Sequence, residues 1–102
     1  MKVITMEEAE FIIRSLEPRA RAKARGRIKL LGDHGHILRM PYSRYIIPEI
    51  FELRIVGKDN IRLIYTFKSD VAIIFHAFVK KTEGISLHEM HIIKQKFNSL
   101  RL

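Results

Sequence analysis

The sequence predicts an α+β fold: two N-terminal helices, a three- to four-stranded antiparallel sheet and a C-terminal helix. Three observations carry this. Apolar residues recur at helical spacing before Gly32. Three strand-like runs then follow one another across short polar turns. Ser86 and Glu89, three residues apart, open a last segment with helical apolar spacing. Helices followed by hairpin-connected strands pack on one face of an antiparallel sheet.

Met1 to Thr5 reads as a short strand or a loose end. Thr5 fits an N-cap, with Glu7 and Glu8 in the first helical turn, where the helix dipole favours acids. Ala9, Phe11, Ile12, Ile13 and Leu16 supply an apolar face that ends before Pro18. Pro18 fits the first position of a second helix, and Gly32 its stop. From Asp33 to Pro48, "GDHGH" and the prolines Pro41 and Pro48 predict loop, which carries Arg39 and Arg44. The strands follow: Ile50 to Val56, Ile61 to Phe67 and Val71 to Val79, joined by "GKDN" and by a tight turn at Lys68-Ser69-Asp70. Ser86 and Glu89 then form a capping box, and Leu87, Met90, Ile93 and Phe97 share the apolar face of the last helix.

A chain of 102 residues with a 47% hydrophobic fraction and no linker is expected to form one domain over residues 1–102. Cysteine is absent, so disulfides and thiolate metal sites are excluded. Lys and Arg number 19 against 11 Asp and Glu, a net charge of +8. A pI near 10.1 points to an anionic partner. No apolar run approaches the roughly 20 residues of a membrane span. Acids stand where a signal peptide has its apolar centre, so a cytoplasmic protein without membrane attachment is expected.

Arg19, Arg21, Lys23, Arg25 and Arg27 alternate with small residues. A spacing of two does not form one helical stripe, so these charges are expected to spread around the second helix. They read either as a solvated surface with some salt bridges or as a surface for phosphate.

Strand alternation sets Phe51, Leu53 and Ile55 against Glu52, Arg54 and Val56, and Ile61, Leu63, Tyr65 and Phe67 against Arg62, Ile64 and Thr66. In the third strand Val71, Ile73, Phe75 and Ala77 oppose Ala72, Ile74, His76 and Phe78. Arg54, Arg62 and His76 can thus each stand opposite an apolar face, with Lys80 and Lys81 at the rim, although alternation alone does not fix the parity across the turns. This set suits metal-free phosphodiester cleavage. Guanidiniums bind phosphate and stabilise the charge growing on it, while histidine or lysine transfers protons. The bland readings are an Arg54 paired with Glu52 or Glu49, a half-buried His76 and a solvated lysine end. The histidine pairs His34/His36 and His88/His91 lack a matching ligand set, so neither metal nor cofactor is expected.

Phe51 to Gly84, "FELRIV…IRLIYTF…VAIIFHAFVKKTEG", resembles the core of the RelE/ParE toxin superfamily in its HigB-like, phage-type branch. The matching elements are Glu52-Leu53-Arg54, Arg62-Leu63-Ile64-Tyr65 and His76-Ala77-Phe78-Val79-Lys80-Lys81-Thr82. "LGDHGHILRMPYSRYI" is similar to the segment that precedes the sheet in that family, and the likeness spans Met6 to Phe97. The resemblance implies a RelE-like fold and the toxin of a type II toxin–antitoxin system. It implies an endoribonuclease (mRNA interferase) that enters the ribosomal A site and cuts messenger by 2′-hydroxyl attack, inhibiting translation. It implies a cognate antitoxin in a hetero-oligomer.

By the same resemblance Arg62 holds the scissile phosphate, Lys81 stabilises the transition state and Arg54 supports phosphate binding. Lys80 contacts the RNA backbone. Apart from the resemblance, His76 by its face and Arg39 and Arg44 by their place in a loop are further candidate RNA-binding residues. Relatives commonly carry an acid–base tyrosine or histidine on or near the last helix. This chain has no tyrosine there, and His91 is the nearest candidate, His88 the second. The alternatives are a ParE-like gyrase-inhibiting toxin and a non-catalytic relative that binds antitoxin or nucleic acid.

Overall fold

The computed structural model describes residues 1–100. A five-stranded mixed sheet lies between two helical layers. In chain order the elements are β1 (Lys2–Thr5), α1 (Glu7–Ser15), α2 (Pro18–His34), a short 3-10 turn (Gly35–Ile37), β2 (Ser43–Ile47), β3 (Ile50–Ile55), β4 (Asn60–Lys68), β5 (Val71–Lys80) and α3 (Leu87–Leu100). The strand order is β1-β5-β4-β3-β2. β1 runs parallel to β5, and every other pairing is antiparallel.

The α+β expectation holds, with two corrections to the sheet. The β-branched run Val3-Ile4-Thr5 forms a true strand against Val71–Ile74, so the sheet is mixed rather than antiparallel. The expected loop before Pro48 contains β2. Pro41 and Pro48 lie just outside it, where a missing N–H costs no ladder bond.

The caps differ in detail. Thr5 ends β1, and Met6 takes the N-cap of α1 without a side-chain bond. Pro18 opens α2 as expected, under a Glu17 side chain that accepts from the Ala20 amide. Gly32 lies inside α2. The stop is Gly35, whose φ of +54° suits a residue without a β-carbon. The Ser86 hydroxyl accepts from the Glu89 amide at 3.1 Å, while the Glu89 side chain turns to His76 instead of closing the box.

Two cores flank the sheet. Under α1 and α2 lie Ala9, Ile13, Ala24, Leu31, Leu53, Ile55, Leu63, Tyr65 and Ile74. Under α3 lie Ile50, Ile64, Phe75 and Ile93. Phe11 and Leu87, placed on apolar faces by spacing, are 62% and 91% exposed. Alternation also fails once within β5. Ile64 pairs with His76, but Tyr65 pairs with Ile74, so Phe75 is an extra residue in a bulge. Phe75 joins the α3 core, while Ile74 and Ala77 join the other. The face opposite α1 and α2 is therefore not left open, since α3 packs on it.

Candidate functional site

Register places the basic residues in rows across the α3 face. Arg44 pairs with Glu52, Glu52 with Ile64, and Ile64 with His76. In the next row Arg54 pairs with Arg62 and Arg62 with Phe78. Lys80 pairs with Asn60 one step further, as a diagonal neighbour of Arg62.

Glu52 is the centre of this arrangement and is wholly buried. Its carboxylate lies 3.0 Å from Arg44 Nε, 3.4 Å from Arg62 Nε and 4.0 Å from Arg54 Nε. Three positive charges thus face one negative. The contacts are close but not aligned as hydrogen bonds at the carboxylate or at the Nε groups of Arg54 and Arg62. Arg54 adds bonds through Nη1 to the Pro41 carbonyl and the Met40 sulfur. Arg62 is 3% exposed, and Arg44 and Arg54 keep 46% and 21% of their side-chain surface. Burial pulls the Arg62 guanidinium below its ordinary pKa. Glu52 opposes that shift, and Arg54 and Arg44 add to it.

His76 shares the face but belongs to a separate network. Its Nε2 lies 2.9 Å from Glu89 and its Nδ1 2.9 Å from Lys96 Nζ, which also pairs with Glu8 at 2.7 Å. An ammonium has no lone pair, so Nδ1 accepts from Lys96 and Nε2–H donates to Glu89. Burial is the main force holding His76 below its ordinary pKa. The imidazole ties β5 to α3 and, through Lys96, to α1.

The remaining predicted residues spread outward. Lys80 is half-buried at the end of β5, and Lys81 is exposed just past it. Arg39 lies in the loop before β2 and bonds the His36 and Leu38 carbonyls. His88 and His91 are exposed on α3. His91 is two residues from the buried Ile93, about 200° around the helix, and so points away from the sheet. Tyr65 sits in the opposite core with its hydroxyl 2.5 Å from that of Ser43. Register puts Arg54, Arg62 and His76 on one face of the sheet, but only the two arginines meet, and His76 is held apart by Glu89 and Lys96. The pairing of Arg54 with Glu52 offered by the sequence is present at 4.0 Å, but sequence reasoning missed that Glu52 also serves Arg44 and Arg62, although two arginines opposite each other call for a shared counter-charge.

The architecture is that of the RelE toxin. A double arginine-to-alanine mutant of E. coli RelE in the free state superposes with a TM-score of 0.67 at 13% identity, over 99% of this chain and 97% of that one. The isolated E. coli RelE toxin gives 0.64 at 14% identity, over 92% and 96%. A family model described as phage derived protein Gp49-like matches residues 12–98, and the chain belongs to that family. A search of curated proteins found no match.

Proposed function

We propose that this protein is the toxin of a type II toxin–antitoxin pair and acts as a metal-independent endoribonuclease on messenger RNA at the ribosome. The observation that carries the reading is the convergence of Arg44, Arg54 and Arg62 on one buried carboxylate, with Lys80 beside them. A phosphodiester gains negative charge in the transition state, and guanidiniums already held in place stabilise it without reorganising. The RelE fold and the Gp49-like family support the class.

Arg44 and Arg54, the more exposed members, grip the phosphate. Arg62 supports them from beneath, Lys80 holds the adjoining backbone, and Lys81 meets the charge that develops as the 2′-oxygen bonds to phosphorus and the 5′-oxygen leaves. A cyclic phosphate forms, with water taking the 2′-hydroxyl proton and returning one to the 5′-oxygen. His91 takes no part. An antitoxin of complementary charge covers the basic face when the toxin is silent.

Induced expression is expected to halt growth, and Arg62→Ala or Lys81→Ala to restore it, measured as colony counts. Undiminished growth with the unaltered chain sinks the toxin reading. One observation favours a binding-only relative instead: Arg62 is almost fully buried. That reading requires RNA binding with every transcript intact.

A further inference from the structure

The alternating charges of α2 resolve into two flanks. Residues four apart lie on one side of a helix, so Arg19, Lys23 and Arg27 form one row, and Arg21, Arg25 and Lys29 another. The buried Ala24 and Leu31 run between them.

The second row is committed to internal contacts. Arg25 makes a two-pronged ion pair with Glu10, at 2.7 and 2.5 Å. Arg21 donates to the Arg14 and Leu16 carbonyls, and Lys29 pairs with Asp33 at 3.0 Å. The first row has no carboxylate partner among the described residues. Lys23 donates to the Val56 carbonyl at 3.2 Å, and Arg27 to the Arg54 carbonyl at 3.3 Å. Arg27 also lies over the Tyr42 ring, 5.0 Å from its centroid. Tyr42 is bonded in turn to the Arg54 amide. Lys58 borders the hollow beside Arg19 and Lys23, as do the acids Glu17 and Asp59. Glu17 is engaged in capping α2.

We infer that the Arg19–Lys23–Arg27 flank is a second RNA-backbone surface, continuous through Arg27 and Tyr42 with the Arg44–Arg54–Arg62 cluster. The inference rests on the RNA reading above and extends it to a longer footprint. From residue 19 to residue 27 the helix rises about 12 Å, the span of roughly three to four stacked nucleotides at 3.4 Å each. A protein partner fits less well. Between these cations stand Arg21, Arg25 and the small residues Ala20, Ala22, Ala24 and Gly26. Exposed Val56 lies by Lys23 and Tyr42 under Arg27, but the helix itself offers no aromatic or large apolar anchor. Phosphate needs none.

The test uses 2′-O-methyl oligouridylates, which cannot be cut by 2′-hydroxyl attack, of about four and about twelve nucleotides. Affinity is read by fluorescence anisotropy across a salt series. Arg19→Glu with Lys23→Glu is expected to weaken the longer strand at least about tenfold and to lower the salt slope by about 1.4, near 0.7 per lost phosphate contact. The shorter strand, seated on the cluster, keeps its affinity. The charge-matched control, Lys2→Glu with Lys29→Glu, leaves the slope unchanged.

Equal losses in the two double variants overturn the inference, as does an unchanged slope in the first. So does a first variant that keeps its RNA slope and loses only an antitoxin. Thermal unfolding of each variant establishes that it is folded. A chain that binds in this way and cuts no transcript in cells removes the nuclease reading while the flank stands.

Discussion

Arg54 and Arg62 face each other across adjacent strands, a like-charge pairing that is unfavourable unless a counter-charge lies beside it. Glu52 is that charge, and it is buried with Arg62. Glu52→Gln leaves the guanidiniums uncompensated, and a loss of about 3 kcal/mol in urea unfolding is expected. A change below about 0.5 kcal/mol counts against Glu52 as the organiser, because that is the scale of ordinary surface substitutions. His76 gives a pH test. Burial lowers its folded-state pKa from the ordinary 6.5, so below that value the unfolded chain binds the proton more readily. Stability is full above about pH 7 and falls as the pH drops through 6. His76→Gln should flatten that part of the curve, measured as urea midpoints. His91→Ala should leave toxicity intact, since the ring points away from the sheet. Alternation made Arg54, Arg62 and His76 legible as one face. It said nothing of depth, so the burial of Arg62 and the enclosure of His76 by Glu89 and Lys96 came only from packing.

At the scale of elements, α3 is held by Ile93 in its core, with Phe97 and Leu100 packed against the same cluster, by the Ser86 cap and by the His76 network. Ser86→Ala should cost about 1 kcal/mol, the usual value of such a cap. Ile93→Ala should cost about 2–5 kcal/mol by leaving a cavity against Ile64 and Phe75. Hydrogen exchange should then show α3 opening ahead of the sheet. Protection lost equally in β4 would contradict that independence. The strands β3, β4 and β5 were legible because β-branched runs and short turns are local signals. β2 was not, because its flanking prolines resemble loop chemistry. The Phe75 bulge was hidden too, since a register slip is set by what packs on each face rather than by the run itself. Gly32 was an attractive stop, but a glycine ends a helix only where the chain turns left-handed, which happens at Gly35.

For the whole molecule, the net charge of +8 proves unevenly used. Part is spent tying α1 to α2, part is held around Glu52, and the Arg19–Lys23–Arg27 flank faces outward. The composition led to the expectation of an anionic partner but not to this division, because the alternating run contains both rows at once. RNA cleavage is tested most directly by mapping transcript 5′ ends during induced expression. The expected result is new ends within translated codons, absent when Arg62→Ala is expressed in place of the unaltered chain. Intact transcripts accompanied by broken chromosomal DNA, or no new ends while growth still stops, would contradict it.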